Sequence, residues 1–383
     1  EKLEFLIPGF DVKKPESIDT GDLGHINFFY SRIEEKGYDL IHIEPNDPRL
    51  SMTVPLAITG GNDEVAKFLA LKAEAYLQLQ PLNWRSFQFF SFQGERRELS
   101  SLLGLPMPME VPSEGDILDF IQGEDPVEPR LKGVKDFLSL GDTIEILPVY
   151  GQHTTPWPDD TFVRVVKVLR AASKIDPSFW KRPIVIPVLG KNLASEKMAK
   201  EQNVRLIDAS DPLLKETIQQ LKPGEPLLVN VGFVQPEIFA MIYSRITTFG
   251  VLEGKNTATL ARQLGKPFIN LKGSNADYEL LGNDGRNRFD VKGMEPVEEV
   301  LEAFGFQSNY VDQDPSILYD FLKLLKDPNS AVSKMFKDFK RQAEETNKVI
   351  IALSMLLDVV HSKSPQTPFI NTSPQTCNVL FGL

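Results

Sequence analysis

Residues 252–271 read Leu-Glu-Gly-Lys-Asn-Thr-Ala-Thr-Leu-Ala-Arg-Gln-Leu-Gly-Lys-Pro-Phe-Ile-Asn-Leu, and their types and spacing describe an anion site. Gly254 permits a tight turn, and Asn256 and Thr257 are strong helix N-cap residues. Free amides and the positive end of a helix dipole would then face out of the loop, where a diphosphate fits. Lys255 can offset its charge, and Glu253 can accept hydrogen bonds from sugar hydroxyls. Ala258, Leu260, Ala261 and Leu264 give the helix an apolar side, Gly265 suits its C-terminus, and Pro267 opens a strand from Phe268 to Leu271. The same residues also suit an ordinary capped helix start with solvated charges on the loop, and both readings stand at this point.

Upstream, Leu227–Val231 is apolar apart from Asn230 and leads into Gly232-Phe233-Val234-Gln235-Pro236 and a helical Glu237–Ser244. Ile246–Val251 reads as a β-branched and aromatic strand that delivers Glu253 to its C-terminal end, where open α/β sheets bind ligands. This order resembles the nucleotide-sugar half of GT-B glycosyltransferases, which carries a Gly-x-(Ser/Thr/Asn)-Thr loop, a helix ending Leu-x-x-Gly-x-Pro, and a strand. Gly254-Lys255-Asn256-Thr257 fits that loop, and Gly265 and Pro267 fit the helix end. Arg262 stands where the pattern has leucine, which leaves Leu260 and Leu264 to carry the packing. The resemblance implies that the nucleobase lies on the loop at Phe233, Val234 and Gln235. Backbone polar groups there would meet the edge of the base while a side chain covers its face.

Two further loops fall where the resemblance expects chemistry. Gly21-Asp22-Leu23-Gly24-His25 follows the first predicted strand and is similar to the loop that opens the acceptor domain. Protein-arginine rhamnosyltransferases have a comparable Gly-Asp-Ile-Gly segment whose Asp is the base, although the rest of the first domain does not match theirs. Asp22 is accordingly the first candidate for general base and His25 the second, with Gly24 lining the site. A glycine turn whose Asp caps a helix uses the same residues. Tyr150-Gly151-Gln152-His153-Thr154-Thr155-Pro156-Trp157 opens the second domain. Gln152, Thr154 and Thr155 can hold the diphosphate or sugar, and His153 can stabilise the departing phosphate. Arg286 and Arg288, in a turn at 283–288, are weaker candidates for phosphate contacts. Asp312-Gln313-Asp314 has the spacing of a metal-binding Asp-x-Asp but precedes Pro315, so it reads as a helix-start signal.

The elements that must position these loops alternate persistently. Strands are expected at Thr143–Val149, Ile184–Val188, Val204–Ile207 and Leu227–Val231, with helices at Asp160–Ser173, Ala194–Glu201 and Pro212–Leu221. Strands apolar on both faces and separated by helices indicate a parallel sheet covered on both sides. Earlier, Glu4–Pro8 and Tyr38–Ile43 read as strands around a helix ending at Gly37, Glu64–Leu79 as helix, and Trp84–Phe92 as strand-like. Leu105–Arg130, rich in Pro, Gly and acidic residues, suggests an extended excursion. Pro315–His361 reads as mostly helical. The expectation is an α/β chain of two Rossmann-like domains of GT-B type, each with a parallel sheet, and a cleft between them. The acceptor-side domain would take residues 1–140, the nucleotide-sugar domain 141–315, and helices 316–383 would pack back onto the first domain.

Composition sets the outer bounds. The 383 residues suit two domains, and 42% hydrophobic with 25% charged residues is ordinary for a soluble globular protein. The apolar run at 349–360 is too short to span a bilayer and reads as a buried helix. The N-terminus lacks an initiator Met and a signal-peptide pattern, so upstream residues are expected. Cys377 alone allows neither an internal disulfide nor a thiolate cluster, which fits a reducing, cytoplasmic setting. A net charge of -11 argues against nucleic-acid binding. His25, His42, His153 and His361 lack metal-ligand spacing. The expected function is therefore metal-independent and cofactor-free transfer of a sugar from a nucleotide-sugar donor to an acceptor that the sequence does not identify, with a protein or a glycan as the candidates. The alternatives are a nucleotide-sugar epimerase on the same scaffold, which needs a second acid/base pair and no acceptor, or a noncatalytic nucleotide-binding module.

Overall fold

A computed structural model of the chain describes residues 4–8, 39–43, 54–59, 73–79, 89–99, 109, 111–151, 158–252, 255–270 and 315–363, and the elements below lie within them. The chain divides into two compact units, one of Glu1–Gln78 with Phe90–Arg97 and one of Leu79–Phe89 with Glu98–Leu383.

In the first unit, β1 (Glu4–Pro8) pairs in parallel with β2 (Asp39–Ile43), with Leu6 opposite Ile41. A four-stranded sheet follows in the order β3 (Val54–Thr59), β4 (Ala73–Gln78), β5 (Phe89–Phe92), β6 (Glu95–Glu98), and β3 and β4 are parallel. Gln93 (φ 49°) and Gly94 (φ 82°) turn the chain between β5 and β6 in two left-handed residues, which suits the twist of a tight hairpin. The helix expected to run to Leu79 is not helical in its last turns, because Ala73–Gln78 forms β4. Ala75, Tyr76, Leu77 and Gln78 are all buried, so sheet pairing and burial on both faces override the helix propensity of Ala, Glu and Leu.

The second unit is built on a seven-stranded parallel sheet. Its strands are β7 (Glu145–Ile146), β8 (Val149–Tyr150), β9 (Ile184–Leu189), β10 (Arg205–Asp208), β11 (Pro226–Gly232), β12 (Gly250–Leu252) and β13 (Phe268–Asn270). They lie in the order β10-β11-β9-β8-β12-β13, with β7 also on β9. The single strand expected at Thr143–Val149 is split in two around Leu147–Pro148, and only the last three residues of the strand expected at Ile246–Val251 and Leu252 pair. Nearly every position of β9 and β11 is buried, as a sheet covered on both faces requires.

The helices of this unit are α1 (Glu114–Gln122), α2 (Pro129–Ser139), α3 (Pro158–Ile175), α4 (Glu196–Glu201), α5 (Leu214–Gln219), α6 (Pro236–Ser244), α7 (Lys255–Leu264), α8 (Pro315–Lys326), α9 (Ala331–Glu345) and α10 (Lys348–Lys363). The strand order steps away from β8 toward β9 and later resumes on its other side at β12. Right-handed crossovers therefore place α3 and α4 on one face and α6 and α7 on the other. The segment expected as an excursion contains α1, started by a capping box in which Ser113 accepts from the Asp116 amide and Asp116 accepts from the Ser113 amide. Ile117, Val134, Phe137 and Leu138 carry α1 and α2 into the second unit's core, on the near side of the boundary suggested around residue 140. Of the terminal helices, α8 packs on α3 and α9 on α7. Lys326 fixes α8 there. Its Nζ donates to the Phe179 carbonyl at 3.1 Å, stands 4.1 Å from the Trp180 ring centroid, and reaches Glu145 at 3.6 Å. Among the described residues no helix is long and apolar enough to cross a membrane.

Lys348, at the start of α10, is fully buried. Burial, and then Arg262, push its ammonium down from 10.5 to about 7. Between those values the unfolded chain binds the proton that the folded chain has released, so stability rises with pH across this window and the gain is absent below about pH 7. Relative to a Lys348→Met variant, the wild type is expected to gain up to about 1.4 kcal/mol per pH unit between pH 7 and 10. Paired urea denaturations at pH 6.5 and 9.5 check this, and parallel shifts in the two proteins would contradict it.

Candidate functional site

In a parallel sheet all C-terminal strand ends share one edge, and this edge is rich in left-handed glycines. Gly151 (φ 95°) follows β8, Gly190 (φ 96°) follows β9, and Gly232 (φ 74°) ends β11. The register sets Tyr150 beside Leu189 and Leu189 beside Gly232, so the three turns leave the sheet at one level. The Gly190 amide donates to the Gly232 carbonyl at 2.9 Å. A Cβ at Gly190 would come 3.3 Å from the Tyr150 ring, which packs edge-on against Phe239 at 4.9 Å. The loop after β9 is held by Asn230, the one polar residue of that apolar run. Its Oδ1 accepts from the Ala194 amide at 3.0 Å, and its Nδ2 donates to the Ala194 carbonyl at 3.1 Å.

The topological switch lies between β8 and β12, which pair through Val149 and Val251. Crevices at such points are where open α/β sheets receive ligands. The loops that begin after Gly151 and after Leu252 therefore start from neighbouring strands. Gln152, His153, Thr154 and Thr155 in the first, and Glu253 and Gly254 in the second, lie outside the described residues. The helix after β12 begins at Lys255, so Asn256 and Thr257 occupy its first turn rather than the N-cap expected from their types. Thr257 is 7% exposed, which turns its side chain to the interior and leaves the first-turn amides as its contribution at the edge.

Phe233, Val234 and Gln235 connect β11 to α6. Phe233 is 60% exposed, Val234 packs partly on the core, and Gln235 caps α6 without a side-chain hydrogen bond to it. The loop thus leaves one large aromatic ring in water at the end of β11. Asp22, Gly24 and His25 lie outside the described residues.

One residue at this edge went unread in the sequence. Arg130, in the first turn of α2, brings its guanidinium to 3.1 Å from where a Gly232 Cβ would stand. Its Nε is 3.7 Å from the Asp208 carboxylate, and both side chains are about two-fifths exposed. Burial pushes the Asp208 carboxyl up, but the Ser210 hydroxyl and amide, together with Arg130, outweigh it and hold the group below the usual range. The signal was absent from the local sequence because Arg130 and Gly232 are about a hundred residues apart.

No family model and no curated protein matches the chain. Several solved structures are similar over most of its length. The arginine-glycosylating protein EarP, which acts on translation elongation factor EF-P, is 11% identical with a TM-score of 0.41, covering 94% of this chain and 98% of its own. The UDP-GlcNAc 2-epimerase of Methanocaldococcus jannaschii is 12% identical with a TM-score of 0.40, covering 93% and 100%. The α,α-trehalose 6-phosphate synthase of Burkholderia multivorans is 10% identical with a TM-score of 0.36, covering 89% and 71%.

Proposed function

We propose that the second unit binds the nucleoside diphosphate of a nucleotide sugar along the C-terminal edge of its sheet, and that the chain transfers the sugar to an acceptor hydroxyl or amine. The observation that carries this reading is the switch point between β8 and β12, from which α7 directs its first-turn amides outward. These amides and the helix dipole meet the diphosphate, and Lys255 and Glu253 serve the phosphate charge and the ribose. The exposed Phe233 and the backbone around Gln235 take the base. In the transfer step the bond between the sugar's anomeric carbon and the diphosphate breaks while the acceptor atom bonds to that carbon. Asp22 takes the acceptor's proton, and His153 with the α7 amides stabilises the charge on the departing diphosphate.

A thermal-shift screen against nucleoside diphosphates and nucleotide sugars tests the reading, since a ligand at 100 times its Kd stabilises the native state by about 2.7 kcal/mol. At least one is expected to raise the melting temperature by several degrees. No shift with any of them, at millimolar concentrations, would contradict it.

A further inference from the structure

The Arg130 guanidinium reaches the C-terminal edge of the sheet from outside the strand-helix alternation, on a helix that precedes β7. Three features of its setting bear on a ligand. Gly232 leaves the space that Arg130 occupies, since any side chain there would press on the guanidinium. The next residue, Phe233, presents a 60% exposed ring. Among the described residues no N–H of Arg130 has a hydrogen-bond partner, and the contact to Asp208 at 3.7 Å is an exposed pair of the kind that contributes little to stability. A planar fork of donors therefore lies by Gly232, and the next residue in the chain exposes an aromatic ring.

The position also separates Arg130 from the phosphates. From β11 to β12 the sheet crosses three strand spacings, about 14 Å at the usual 4.8 Å each. That is the reach of an extended nucleoside diphosphate, whose phosphates would lie at α7 and whose base would lie at β11. Resting on the nucleotide reading above, we propose that Arg130 is a specificity-determining residue that donates to a ring carbonyl of the nucleobase while Phe233 covers the base's face. Arginine has donors and no acceptor, so it pairs with the carbonyl edges of uracil, thymine or guanine and finds no exocyclic oxygen on adenine.

Calorimetric titration of the whole chain with uridine, thymidine, guanosine and adenosine diphosphates tests this in the wild type and in Arg130→Ala and Arg130→Lys. The wild type is expected to favour at least one carbonyl-bearing base over adenosine diphosphate. Arg130→Ala should lose about tenfold or more in affinity for the favoured nucleotide while its affinity for adenosine diphosphate stays within about twofold. Arg130→Lys should recover part of the loss, since it keeps the charge but not the fork. Melting temperatures of the variants within a few degrees of wild type exclude a merely structural role. Unchanged affinities in Arg130→Ala, or an equal loss for every nucleotide, would overturn the assignment and leave the nucleotide reading intact. Failure of the wild type to bind any of the four would overturn the assignment of Arg130, and failure in the thermal screen as well would overturn the nucleotide reading.

Discussion

Replacing Asp22 with Asn is expected to lower sugar transfer by about 100-fold or more while leaving donor affinity within about twofold, because the amide keeps shape and hydrogen bonding but cannot accept a proton at neutral pH. The residue follows β1 in the chain, within a Gly-x-x-Gly sequence, and no second carboxylate stands in that segment from Gly21 to Tyr30. Hydrolysis of the nucleotide sugar supplies the assay before an acceptor is identified, with water in the acceptor's place. Single-turnover rates at saturating donor separate lost chemistry from lost binding. His25→Ala is the companion variant and should retain most of the rate. Near wild-type turnover in Asp22→Asn with an inactive His25→Ala would reverse the two roles, and activity in both would leave the loop a helix cap.

Gly133→Ala is the second large effect, and here two magnitudes of opposite sign decide the outcome. In a helix interior, alanine is favoured over glycine by about 1 kcal/mol, so propensity alone predicts a gain. The structure predicts the reverse. A Cβ on Gly133 would lie 1.8 Å from the Ala209 carbonyl oxygen and 3.1 Å from the Leu214 side chain. Ala209 cannot yield easily, since its amide is bonded to the Asn230 carbonyl of β11. Helix α2 must therefore lift from the sheet, and a net loss of about 3 kcal/mol or more is expected. The shift would also withdraw Arg130 from Gly232, so nucleotide discrimination should fall with stability. Urea denaturation measures the first effect, and a midpoint at or above that of the wild type would contradict the packing described for α2.

What the sequence disclosed follows from how local each signal is. The strands β9 and β11 and the helices α3, α6 and α7 were legible because their apolar periodicity is complete within one window, and Gly265 and Pro267 punctuate the end of α7. The stretch at Ala73–Gln78 misled because Ala, Glu and Leu are helix formers, whereas its strand state depends on pairing with β3 far along the chain. Helix α1 was hidden by its flanking prolines and glycines, although Ser113 and Asp116 form its capping box. Of the residues proposed to bind the nucleotide, Phe233 stands out by type and place. Arg130 did not, because only the folded sheet brings α2 to the end of β11. Asn230 looked like an interruption of a buried strand and is in fact the clamp on the Ala194 backbone.

The central claim is that a nucleoside diphosphate lies along the sheet edge from the first turn of α7 to the end of β11. Hydrogen–deuterium exchange of the whole chain, with and without a saturating nucleoside diphosphate found in the thermal screen, tests it most directly. The account predicts slowed exchange in peptides spanning 252–260 and 232–238, where amides become hydrogen-bonded or shielded, with smaller changes at β10 and α9. Protection confined to other parts of the chain, with 252–260 unchanged at saturation, would contradict it.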